Sequence, residues 1–260
     1  TKPQFEDEAR QFFPDLLDTI TVVGHKHLGS FIGSREGTAK FVEEQIEKWS
    51  ADIDALTKVA EIDPQLAYSA YVFGTSRRWQ FVCRTTPNIT EPLKKLEEQI
   101  RSKLIPAIVG KDFCSDEMRK IFSLPTRLGG LGLQNPTEEA DYEYVNSIIA
   151  TAQLKTAICE QRSHLVIDED AKEAELKEVR DRKSARLQQL QDELKESISE
   201  SLHKIIQLSA EKGASSWLTS LPLKEFGFRL NKQQFSDAIC MRYDLRLKDV
   251  PKRCACGEEY

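Results

Sequence analysis

Between Glu169 and Glu211 the chain carries neither glycine nor proline, and this run limits the possible folds more than any other feature. Leu187, Leu190, Leu194, Ile198, Leu202 and Ile205 fall three or four residues apart within it, so the spacing predicts one long amphipathic helix over 169–211. Its first half, EDAKEAELKEVRDRKSAR, is nearly all charged and is expected to project into solvent or to pair as a coiled coil. Gly213 ends it.

The helical period recurs upstream. Val42, Ile46, Trp49, Ile53, Leu56 and Val59 form one stripe of a helix that starts near Thr38. Asp63 and Pro64 supply the cap and first position of a second helix, which runs to about Pro87. A third begins near Thr90, turns Leu93, Leu96, Ile100 and Leu104 inward, and is expected to stop before Pro106. Further helices are expected at 116–123, from a Thr137 cap to about 160, and at 232–243. Asn231 and Gln234 form a reciprocal cap for the last of these. WLTSLPLKEFGFRL, before it, reads as a loop or short strand.

One β signal stands out. DTITVVGHKHLGSFIG, residues 18–33, predicts two short strands joined at Gly24 and packed through Val22, Val23, Leu28 and Phe31. The fold class expected is therefore mainly α: a helical bundle with one short N-terminal hairpin and a long charged helix.

Composition enters where partners are concerned. The formal net charge is −5, yet it is unevenly spread. Residues 71–111 hold eight Lys/Arg against three Glu, and 221–253 hold eight against four acids. Residues 168–200 reverse the balance, with seven against eleven. Basic segments flanking an acidic one permit a basic face without requiring it, and solvated helix faces are the default reading of any single run. The chain has no apolar run of roughly 20 residues, as a membrane span needs, and its first residues lack a signal-peptide layout. Four of the six cysteines stand alone, mostly among apolar neighbours, as buried thiols of a reducing, intracellular compartment do.

LPTRLGGLGLQNP, residues 124–136, raises the question of a phosphate loop. Such a loop needs glycine amides facing an anion at a helix N-terminus, usually after a buried strand. Here the glycines follow a helix, and no lysine follows them. Chain geometry is the better reading: Gly129, Gly130 and Gly132 permit positive φ or close approach, and Asn135–Pro136 turns the chain. The acidic pairs sit at helix starts, where they complement the dipole, and none reads as a two-metal site. His25, His27, His164 and His203 lack metal-ligand spacing.

TSRRWQFVCRTTPNI (75–89) interleaves Arg77, Arg78 and Arg84 with Trp79 and Phe81. Arg77 and Arg84 lie seven residues apart, close to two turns, so they share a helix face while Trp79 points elsewhere. Trp79 is expected in the core and the two arginines on a groove. RCACGEEY places Cys254, Cys256 and Gly257 in half of a metal knuckle, an incomplete metal site.

Taken together, these pieces resemble the reverse transcriptases of animal non-LTR-like retrotransposons. HKHLGSFIGS is similar to the primer-grip hairpin that follows the palm, and LPTRLGGLGLQNP to the LP…GGLG segment that follows the thumb. LAYSAYVFGTSRRWQFVCRTTPNI, LEEQIRSKLIPAIVG and the WLTSLPLKEFGFRLNKQQFSDAICMRYDLRL run resemble the thumb and the region beyond it. CACG resembles the first half of a zinc knuckle. The likeness covers nearly the whole chain except the charged stretch at 168–200.

The resemblance implies four segments: primer grip (1–35), thumb-like bundle (36–123), glycine turn and helical connector (124–212), and a C-terminal segment (213–260). It implies a primer grip at His27, Leu28 and Gly29, and backbone contacts to a template–primer duplex from Arg77, Arg78, Arg84, Arg101 and Lys103. The family's Tyr-Ala-Asp-Asp turn is absent, so the chain is expected to be non-catalytic, with no catalytic residue, cofactor, small-molecule substrate or membrane partner of its own. In the family Mg belongs to the palm and Zn to a complete knuckle. Nucleus or cytoplasm is the expected location. A function of another class stands beside this one: a protein–protein module built on the long charged helix.

Overall fold

A computed structural model of the chain describes residues 3–164, 166–247 and 253. The fold is mainly α with one short antiparallel hairpin. After α1 (Glu6–Phe12) come β1 (Gly24–His27), β2 (Ser30–Gly33) and the long α2 (Arg35–Ala60). Then follow α3 (Pro64–Ala70), α4 (Ser76–Thr85), α5 (Thr90–Gln99), α6 (Ile105–Val109) and α7 (Asp116–Ser123). The later helices are α8 (Pro136–Ala150), α9 (Ala152–Cys159), α10 (Glu169–Ser197), α11 (Glu200–Ser209), α12 (Ser216–Thr219) and α13 (Lys232–Arg242). Among the described residues no helix is long and apolar enough to cross a membrane.

Contacts divide the chain into two interleaved units, where the sequence segments are contiguous. The first comprises 1–52, 75–98 and 135–186. Its buried side chains include Val42, Ile46 and Trp49 of α2, Trp79 and Val82 of α4, and Leu93 of α5. Trp79, 2% exposed, meets Trp49 edge-on at a centroid distance of 6.1 Å. The hairpin joins through Phe31, which stacks on Phe41 at 5.9 Å.

The second unit comprises 53–74, 99–134 and 187–260. Its core holds Tyr68, Tyr71, Phe235 and Tyr243, with Leu131 and Leu133 of the glycine stretch fully covered. Two caps form as the residue pattern requires. Asp63 accepts from the Leu66 amide at 3.0 Å, and Asn231 with Gln234 closes a reciprocal capping box on α13.

Several boundaries differ from the sequence expectations, each for a local reason. The strands meet at a Leu28–Gly29 turn rather than at Gly24. Leu28 is 85% and Val23 55% exposed, so neither packs on the helices. The third helix does not stop before Pro106. A wide π-turn over Ile100–Leu104 shifts the ladder where proline lacks an N–H, and helix continues to Val109 with Gly110 left-handed beyond it. Asn135, not Thr137, caps α8 by accepting the Thr137 amide, and this helix breaks at Thr151. The long run divides at residues 198–199, where the Ser199 hydroxyl accepts from the Leu202 amide and begins α11. A serine cap has ended a helix that periodicity alone would have continued. WLTSLPLKEFGFRL, expected as a loop or short strand, is the loop: it carries the end of α12 and a 3-10 turn at Lys224–Phe226.

Candidate nucleic-acid interface

Within the first unit the hairpin turn lies on α4. Gly29 has φ +85°, and a Cβ there would come within 3.2 Å of the Phe81 ring. Leu28 beside it is also left-handed, at φ +47°. Phe81 belongs to the α4 face that carries Arg77 and Arg84, spaced four and three residues from it. Strand alternation puts Phe31 on the inner side of the ribbon, and His25, His27 and Ile32 on the other. His27 and Ile32 are exposed, as is Lys26.

The five cations singled out from the sequence have unequal freedom. Arg77 meets a neutral partner, donating to Gln80 Oε1 at 3.2 Å. Arg78 pairs with Asp52 at 2.5 Å. Arg84 Nε donates to Glu143 Oε2 at 3.0 Å. In the second unit Arg101 pairs with Asp116 and donates to the Cys114 carbonyl, while Lys103 pairs with Asp54 at 2.8 Å. The structure therefore groups Arg77, Arg78 and Arg84 in one unit with His27, Leu28 and Gly29, and puts Arg101 and Lys103 in the other. Cys254 and Cys256 lie outside the described residues. Among the described residues no group of three His, Cys, Asp or Glu is arranged to hold a metal ion.

Behind α4 lies a charged layer that residue patterns did not signal. Glu143 of α8, only 9% exposed, takes Arg84 on one oxygen and Lys183 of α10, at 3.3 Å, on the other. Arg186 pairs with Glu139 at 3.2 Å and stacks over the Tyr142 ring at 4.5 Å. Arg182 donates to Asn146 Oδ1 at 3.1 Å. The middle of α10 thus meets α8 through Arg182, Lys183 and Arg186, while the charged turns before it stay mostly exposed, as the sequence led one to expect. Burial is the main cause that raises the Glu139 carboxyl above its ordinary value, against the pull of Arg186. Burial, with Glu143 adding, pushes the Cys83 thiol up to about 12.

The glycine stretch is structural. The amides of Gly130, Gly132 and Leu133 donate to Pro125, Leu124 and Phe122 carbonyls, so they are not turned towards an anion. Its carbonyls are satisfied by buried side chains. Tyr68 donates to Leu131 at 2.8 Å, Arg119 to Leu133 at 2.6 Å, and Tyr243 to Gly129 at 2.9 Å. Burial holds the Tyr68 hydroxyl well above its usual value and pushes that of Tyr243 up to about 12, so both remain donors. A Cβ at Gly129 would meet the Ile206 carbonyl at 2.5 Å.

Comparison with protein-family models, curated proteins and solved structures finds no match to this chain.

Proposed function

We propose that the first unit grips a template–primer duplex without catalysing a reaction of its own, as the primer-grip and thumb parts of a reverse transcriptase would. One observation carries this reading: the Leu28–Gly29 turn rests on Phe81, on the α4 face that bears Arg77 and Arg84. An exposed aromatic ring between arginines, beside a projecting hairpin, offers a phosphate contact and an apolar contact together. Arg77 is the principal phosphate contact, because among the described residues it meets the neutral Gln80 amide and no carboxylate. Arg84 also holds Glu143, so replacing it disturbs the fold as well as the surface.

The test is Arg77→Ala in the full chain, titrated with a labelled primer–template at two salt concentrations. Affinity falls, and the slope of log affinity against log salt decreases by roughly one unit. Unchanged affinity and slope would remove Arg77 from the interface.

The charged-helix module gains no comparable observation, since Arg182, Lys183 and Arg186 are engaged with α8 of the same unit.

A further inference from the structure

A cavity of about 440 Å3 opens in the second unit, lined by Ile62, Asp63, Lys224, Arg229, Leu230, Asn231 and Lys232. Three cations and one carboxylate face it. Asp63 is committed twice, capping the Leu66 amide through Oδ1 and holding Arg229 through Oδ2 at 2.7 Å. Lys224 and Lys232 therefore stand in excess of the negative charge. Lys232 is tied by one donor to the Glu61 carbonyl at 2.6 Å, which leaves two ammonium protons. No described residue pairs with Lys224.

The wall is built, not incidental. Buried Gln65 donates to the Phe228 carbonyl at 2.9 Å and accepts from the Leu230 amide at 2.7 Å, so both ends of one amide clamp the segment that carries Arg229. The capping box of α13 fixes Asn231 and the start of Lys232. Ile62, 79% exposed, and Leu230 give the cavity an apolar side.

We infer that this cavity binds a phosphate monoester with an apolar body. Two surplus cations match the charge of −1.5 to −2 that such a group carries at neutral pH, roughly, and the guanidinium fork of Arg229 suits its oxygens. The volume falls in the range of small-ligand sites, about 300–1,000 Å3. The monoester can be a free nucleotide or the 5′-phosphate of a strand end. The site belongs to the second unit, and this inference does not rest on the duplex-gripping reading of the first.

Calorimetric titration of the full chain with AMP and with adenosine tests the inference. AMP binds at least about tenfold more tightly, because adenosine lacks the charged group that the two lysines meet. Lys224→Ala, at an exposed side chain with no described partner, weakens AMP by about tenfold while leaving the thermal midpoint unchanged. A 5′-phosphorylated and a 5′-hydroxyl trinucleotide form a second pair. Tighter binding of the phosphorylated strand than of AMP assigns the site to strand ends, and the reverse order assigns it to free nucleotides. Equal binding of AMP and adenosine, or an unchanged AMP affinity in Lys224→Ala, would overturn the inference.

Discussion

Trp79 and Gly129 show how much one position can decide. Trp79 lies two residues from Arg77 yet is buried against Trp49, so the two neighbours serve different purposes. Trp79→Ala leaves a large void and is expected to lower stability by about 3–5 kcal/mol, read from urea unfolding. Gly129 combines φ +86° with a carbonyl where a Cβ would stand. Gly129→Ala is expected to cost on the order of 1–3 kcal/mol by the same measurement, without affecting nucleic-acid affinity per folded molecule. A third expectation concerns the thiols. Cys83, Cys114 and Cys240 are buried and Cys159 is exposed. Peptide mapping after brief alkylation of the native chain at neutral pH should find Cys159 labelled and the other three protected. Rapid labelling of Cys83 would contradict the burial that pushes its thiol up.

Among elements, the contact between α10 and α8 is the one most open to solution conditions. Glu139 is held above its ordinary value of 4.5, chiefly by burial, so the folded chain binds its proton more firmly than the unfolded chain does. The contribution of this group to stability is therefore largest in acid and declines as pH rises from 4.5 through the folded-state value. Glu139→Gln lacks that decline. Urea midpoints across pH should show the wild type losing stability relative to the variant towards neutral pH, and the opposite drift would refute the assignment. The same layer marks what the sequence could reveal. Apolar spacing was enough to identify α2, α5 and the Leu194 stripe, and cap chemistry identified Asp63 and Asn231. The α8–α10 layer escaped because it is made of ion pairs, and a charged run has the same composition whether solvated or paired. The breaks at Ser199, where a hydroxyl caps the next helix, and at Thr151, where the backbone leaves helical geometry, escaped for a related reason, since neither disturbs the apolar period.

At the scale of the whole molecule, two units assembled from alternating stretches of chain keep their charge in different ways. Among the described residues, the first holds a surface arginine paired with a neutral amide beside an exposed ring, and the second a cavity with two surplus lysines. The hairpin and the inward Trp79 were legible in the sequence. The pairing of Arg78, Arg84, Arg101 and Lys103 with carboxylates was not, because those partners lie between 15 and 59 residues away. On the duplex-gripping account the chain extends no primer with Mg or Mn, and a polymerase assay on the purified protein checks this. The most direct measurement is the salt dependence of primer–template affinity in the wild type and in Arg77→Ala. The account predicts a steep wild-type slope that flattens by roughly one unit in the variant, with stability unchanged. Identical slopes and affinities would contradict it.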